Sequence, residues 1–85
     1  MINVKYKDIL TLDDNHEYVV SGVAQYNDNN YLYLVDINNN SNIKFAEFNN
    51  NLIIELNKDK DSKLINILLP LFLQSTKNDV IIEYQ

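Results

Sequence analysis

Cysteine, arginine and tryptophan are absent from this chain, and glycine, proline and histidine occur once each. Without cysteine there is no disulfide, no thiolate zinc site and no nucleophilic or redox-active thiol. A single glycine, Gly22, excludes a glycine-rich phosphate-binding loop. The only histidine, His16, is the one residue around which a serine–histidine pair could form. These absences remove most of the common catalytic and cofactor-binding motifs.

The missing arginine also bears on nucleic acid binding. Twelve carboxylates against seven lysines give a net charge of -5, and the lysines are interleaved with Asp and Glu along the chain. Proteins that bind phosphate backbones are basic on one face, and they use the arginine fork to contact guanine and phosphate. We therefore expect no direct contact with nucleic acid.

The remaining composition is typical of one small globular domain, 1–85. The 85 residues are 46% hydrophobic and 22% charged, which is enough apolar side chain to form one core. The longest apolar stretch, 64–73, is interrupted by Asn66 and Pro70 and is shorter than the roughly 20 residues that a bilayer span needs. No basic region followed by an apolar run opens the chain, so we expect no signal peptide, no membrane contact and a cytoplasmic location.

Asparagine, with fifteen residues, takes the place of glycine in the turns. It tolerates left-handed backbone conformations, so the clusters of asparagine predict tight turns. The intervening runs of Val, Ile, Leu, Tyr and Phe predict a meander of antiparallel strands. Gly22 in the second run predicts a bulge or bend. We place the strands at 7–12, 17–26, 31–37, 43–48 and 52–56.

Apolar residues occur on both faces of these strands, so a flat sheet with one wet side does not fit. Acceptor side chains at 59–62 predict the start of a helix over about 60–74, perturbed by a kink or a new turn at Pro70. The β-branched segment 79–84 is a candidate final edge strand. The predicted fold is therefore α+β: a curled antiparallel β-meander of about five strands and one C-terminal apolar helix.

Two sets of polar residues are candidates for chemistry. The turn 13–17 combines carboxylates with the imidazole of His16, but adjacent residues in a tight turn point away from one another and make a poor metal site. Other carboxylates lie in or beside predicted strands, where an opposed pair could act as acid and base. We interpret both sets as solvated surface and predict no catalytic, cofactor-binding or metal-binding residue. The strand carboxylates are Asp8, Asp36, Glu47, Glu55 and Glu83.

The segment 64–73 is apolar around its whole circumference. One small sheet covers only one side of a helix, and an exposed apolar side marks an interface. We therefore expect a homodimer or a protein partner at this segment, with the strand tyrosines as a second surface. The alternative is a sheet that curls far enough to enclose the helix completely. The expected contact residues are Leu64, Ile67, Leu68, Leu71 and Phe72.

The layout resembles the YrzB-like family of small acidic uncharacterised proteins of low-GC Gram-positive bacteria. The segment 9–15 (ILTLDDN) resembles the pattern I-T-L-x-[DE]-E-x-G, with Asn15 near the position of the usual glycine, and 18–34 resembles a long aromatic hairpin. With 43–48, 52–56 and the helix, the match covers about 8–73. The family's helix is usually acidic and amphipathic, unlike 64–73, and 79–84 has no clear counterpart. The resemblance implies neither an activity nor functional residues.

Two functions fit these features. The first is a non-enzymatic protein–protein interaction module that self-associates through the apolar helix. The second is a small acidic inhibitor, from a phage or mobile element, that presents carboxylates to the basic groove of a nucleic-acid enzyme. High salt separates them, because it weakens an electrostatic complex and spares a hydrophobic dimer.

Overall fold

The computed structural model describes residues 4–84, and the side chains of residues 4–76. Five strands pair in chain order into one antiparallel sheet, and one helix follows them. The sheet curls into a half-barrel, which confirms the predicted α+β meander. The elements are β1 (Ile9–Thr11), β2 (Glu17–Tyr26), β3 (Asn29–Asp36), β4 (Asn39–Asn49), β5 (Leu52–Glu55) and α1 (Ser62–Tyr84).

Two of the hairpins close with two residues in the left-handed backbone region. Asn27 and Asp28 join β2 to β3 with φ of 50° and 65°, and Asn50 and Asn51 join β4 to β5 with φ of 51° and 66°. Two-residue loops with positive φ match the right-handed twist of the strands they connect. The prediction that asparagine forms the turns is confirmed at these hairpins.

The sheet has an apolar core on each face. One core, which we call the open-face core, centres on residues of the three middle strands that are almost completely buried: Tyr18, Val20, Leu32, Leu34 and Ala46. The other, the helix-face core, is formed where α1 packs on the sheet: Tyr31, Leu68 and Phe72, with Tyr33 and Phe45 against them. The sheet therefore needs both its own curl and the helix to shield its two faces.

Gly22 allows α1 to lie directly against β2. The pairing of β2 with β3 shifts register between Val20 and Gly22, so the predicted bulge is confirmed. A β-carbon at Gly22 would lie 2.9 Å from the β-carbon of Phe72, closer than side chains can approach. Beside this contact the backbone N–H of Val23 donates to the Ser75 hydroxyl at 3.2 Å. One strand thus receives both an apolar and a polar contact from the helix.

The helix continues through Pro70, which does not end it or divide it into two elements. Proline removes one backbone hydrogen bond, the one to the carbonyl of Asn66. Both residues are exposed, so water can hydrogen-bond to that carbonyl, and the missing bond costs little stability. Within the described residues no helix is long and apolar enough to cross a membrane.

The prediction of a final edge strand at 79–84 is wrong, because α1 extends through this segment to Tyr84. The β-branched residues favour a strand only weakly, and neighbouring structure readily overrides such a preference. No glycine or proline follows Pro70 in the sequence. Nothing in the sequence therefore stops the helix before this segment.

Candidate functional site

The outer surface of α1 is the first candidate site. Among the side chains of α1 that the structure describes, three apolar ones stay exposed although the helix packs on the sheet, and we call them the outer helix face: Ile67, Leu69 and Leu73. Leu73 is 61% exposed. No charged residue occurs between Lys63 and Lys77, so this face has no charge over about three turns.

The residues predicted for the contact lie on both sides of the helix. Leu68 and Phe72 are 0% and 2% exposed in the helix-face core, which leaves them no surface for a partner and corrects the predicted contact at these positions. Leu64 and Leu71 are half-buried at the margin of that core, and Ile67 is exposed. Because the helix is apolar all round, its sequence does not indicate which side faces the sheet.

Several strand tyrosines, predicted to form a second contact surface, pack instead into the two cores. Tyr18 and Tyr31 are buried. Tyr33 stacks on Phe45 with 5.4 Å between ring centroids, and it lies 5.8 Å from the ring of Phe72. These contacts fix the position of the helix on the sheet.

A buried carboxylate on the open face is a second candidate site, and the sequence analysis missed it. Asp36 ends β3 and is only 2% exposed. Its carboxylate accepts hydrogen bonds from His16 Nδ1 at 2.7 Å, from Asn42 Nδ2 at 3.1 Å and from the backbone N–H of Asn38 at 2.9 Å. The interpretation of this residue as exposed surface is therefore wrong. The sequence did contain a signal for this burial. Asp36 alternates with Leu32 and Leu34, and alternate residues of a strand share one face.

The network continues across the sheet from Tyr18, which pairs with Asp36 in register. The Tyr18 hydroxyl donates to Asp14 at 2.6 Å and accepts from Asn42 at 3.0 Å. Lys44 lies 3.9 Å from the same Asp14 oxygen and donates to Glu55 at 3.0 Å. Among the described side chains, no buried polar atom lacks a hydrogen-bond partner.

These contacts shift the acid–base properties of the network. The hydrogen bond from His16 is the main cause that lowers the pKa of Asp36 to about 2, so this carboxylate is ionised at neutral pH and can only accept. The Nδ1 atom of His16 must therefore carry its proton. The same bond, with the nearby charge of Asp14, raises the pKa of His16. Burial, followed by the bond to Asp14, raises the pKa of Tyr18.

The shifts thus hold the two aspartates, Tyr18 and Lys44 in their ordinary charge states, whereas the raised pKa of His16 favours its protonated form. The hydrogen bond from Tyr18 lowers the pKa of Asp14, and the bond to Glu55 raises that of Lys44. A general acid or base needs a pKa near the working pH, and the carboxylates and the lysine are moved away from it. In the described part of the chain, no three His, Asp or Glu side chains lie close enough to hold a metal ion. The arrangement is typical of a structural network.

A groove of about 480 Å³ adjoins the network on the open face, and we call it the edge groove. Its sides come from the two edge strands of the sheet and its floor from the middle strands. Apolar and charged side chains both line it, including Leu12, Leu34, Lys44, Ile53 and Glu55. The groove is half-open to solvent and has the size of a binding cleft.

Comparison with protein-family models, with curated proteins and with solved structures finds no match to this chain. The resemblance to the YrzB-like family stays a prediction. The function must be inferred from the surfaces described above.

Proposed function

We propose that the protein is a non-enzymatic interaction module that self-associates through the outer helix face. The observation that carries the proposal is the exposure of three apolar side chains on the uncharged outer side of α1, with Leu69 and Leu73 adjacent and Ile67 at the opposite margin. Burying a leucine or isoleucine side chain contributes roughly 1.5–3 kcal/mol. A two-fold contact counts each residue twice, because both copies present the same patch.

The net charge of the chain restricts a contact between two copies to a surface without charge, and the outer helix face is such a surface. Each copy carries a net charge of -5, so two copies repel one another at most relative orientations. The outer helix face is where they can meet without bringing charged side chains together. A partner that recognised this protein by its acidity would use another surface, because the outer helix face offers it no carboxylate.

Analytical ultracentrifugation over a micromolar concentration series tests the proposal. We expect the wild-type chain to sediment as a dimer and the Leu73→Glu variant as a monomer, since the variant places two like charges at the contact. The control is Ile9→Glu, which adds the same charge to a strand residue of similar exposure, 57% against 61% for Leu73. This control should remain dimeric.

A wild-type chain that sediments as a monomer at all concentrations would contradict the proposal. Equal loss of the dimer in both variants would show that added charge, wherever it lies, prevents association.

Salt sharpens the distinction from an acidic inhibitor. Screening weakens repulsion between two chains of charge -5, so the dimer should persist or tighten at 1 M salt. A complex of this acidic protein with a basic groove should dissociate under the same conditions. Sedimentation at low and high salt compares the two directly.

A further inference from the structure

The two edges of the half-barrel meet at the edge groove. β1 and β5 each pair with only one neighbour, so each has one side without a partner strand among residues 4–84. Thr11 of β1 and Ile53 and Glu55 of β5 line the same groove. Unpaired strand edges accept further strands when nothing protects them.

The hairpin between β4 and β5 shows which backbone groups of β5 point into the groove. Its two-residue loop makes Asn49 and Leu52 a hydrogen-bonded pair, and bonded pairs then recur at every second residue. The hydrogen bond from Leu56 N to Phe45 O, 2.7 Å, agrees with this alternation, because Leu56 is also an even-numbered residue. The N–H and C=O groups of Ile53 and Glu55 therefore point away from β4, towards the groove.

The same reasoning applies to β1. Leu12 N donates to His16 O at 3.1 Å and Val20 N donates to Asp8 O at 2.7 Å. Even-numbered residues of this strand thus bond β2, and the backbone groups of Thr11 point outward. The groove is bordered on both sides by backbone donors and acceptors that face its interior.

β5 is short and ends in the charged Glu55, but it lacks the other features that usually protect an edge strand. It contains no proline, no lysine and no bulge, and two of its four residues, Leu52 and Ile54, are more than half exposed. The groove also selects the charge of an occupant. Three carboxylates line it, those of Asp13, Asp14 and Glu55, against the single ammonium of Lys44.

We propose that the edge groove binds an extended peptide segment of alternating apolar and basic residues, which adds to β5 as a sixth strand. The peptide backbone pairs with Ile53 and Glu55. Its basic side chains enter the groove and meet the carboxylates that line it, and its apolar side chains point to the opposite face, beside the exposed Leu52 and Ile54. A second copy of this chain is a poor occupant, because it would bring another acidic edge against an acidic rim. The site is independent of the outer helix face.

The test uses the full chain labelled with ¹⁵N, in the Leu73→Glu background so that self-association does not interfere. The probe is a seven-residue peptide of alternating valine and lysine, and its control alternates valine and glutamate. We expect saturable chemical-shift changes at Thr11, Ile53 and Glu55 with the lysine peptide alone. The amide of Ile53 should also become protected from hydrogen exchange.

Two variants separate strand addition from simple charge attraction. Ile53→Pro removes an N–H that faces the groove without removing a bond to β4, and should weaken binding roughly 3- to 10-fold relative to Ile53→Ala. Methylating alternate backbone nitrogens of the probe should weaken binding similarly, and it cannot affect the fold. Asp13→Asn should weaken binding by about 2- to 5-fold, and Asp59→Asn, at a residue that does not line the groove, should not.

Three results would overturn the proposal. One is the absence of saturable binding by the lysine peptide. Another is equal binding by the methylated and unmethylated probes, which would make the contact purely electrostatic. The third is equal binding by the glutamate peptide.

Discussion

The two faces of this sheet are closed in different ways. On the helix face, a separate element supplies Leu68 and Phe72, and the ring of Phe72 lies within 6.1 Å of the rings of Tyr33 and Phe45. On the open face, the sheet curls over its own aliphatic residues, and one margin is closed by hydrogen bonds to the buried Asp36.

This difference predicts different sensitivities. Close-packed apolar contacts depend on shape, so changes in side-chain volume should damage the helix face most. Charged hydrogen bonds depend on protonation, so pH should act on the open face. Substitutions on each face can test whether the two respond separately.

The largest effect on stability is expected from removing a large side chain from the helix-face core. Phe72→Ala should lower the free energy of unfolding by about 3–5 kcal/mol, because it leaves a cavity between α1 and the sheet. Leu52→Ala, at a position 63% exposed, should change it by about 0.5 kcal/mol or less. Urea unfolding followed by circular dichroism measures both. Similar values for the two variants would mean that α1 does not pack on the sheet as described.

A smaller effect on stability is expected from adding a methyl group between α1 and the sheet. Gly22→Ala brings a methyl group to 2.9 Å from the Phe72 β-carbon and 3.3 Å from its α-carbon. The helix backbone must move, and such overpacking costs about 1–3 kcal/mol in unfolding free energy. The control, Ser21→Ala, lies at the same bulge and tests whether the bulge itself is sensitive. If both variants unfold at the same urea concentration, the close approach of α1 is not the reason for glycine.

The sequence predicted the parts of the fold that depend on local pattern. β2 was predicted with its observed bounds, Glu17–Tyr26, because turns rich in Asn and Asp flank a long β-prone run. Gly22 indicated the bulge, since glycine within a strand is otherwise unfavourable. Both features follow from residues near one another in the chain.

The features that the sequence did not predict depend on distant contacts. The burial of Leu68 and Phe72 depends on which side of an evenly apolar helix meets the sheet. The role of Asp36 depends on His16 and Asn42, which come from the turn before β2 and from β4, respectively. Pattern alone cannot show that polar residues from a turn and two different strands form hydrogen bonds with one another.

The smallest effect concerns the open face and its pH dependence. The bond to Asp36 raises the pKa of His16 above its ordinary value of 6.5, so folding favours the protonated ring. This stabilisation is complete below pH 6.5 and is lost as the pH rises through the higher pKa of the folded state. Asp36 behaves in the opposite sense, because its pKa falls from 3.8 to about 2. Its stabilisation is present above pH 3.8 and is lost as the pH falls towards 2.

Both contributions are complete only between about pH 4 and pH 6.5, so stability should be greatest there. His16→Gln removes the only titrating imidazole and can still donate to Asp36. We expect the decline in unfolding free energy above pH 6.5 to flatten in this variant, while the acid limb becomes smaller but persists, because Asn38 and Asn42 still donate to Asp36. Above pH 6.5, subtracting the two urea-unfolding profiles isolates the histidine, and an NMR titration of the wild-type ring gives its folded pKa directly. A folded pKa at or below 6.5 would mean that the ring and the buried carboxylate do not form a charged pair, and closure of this face would then depend on shape alone.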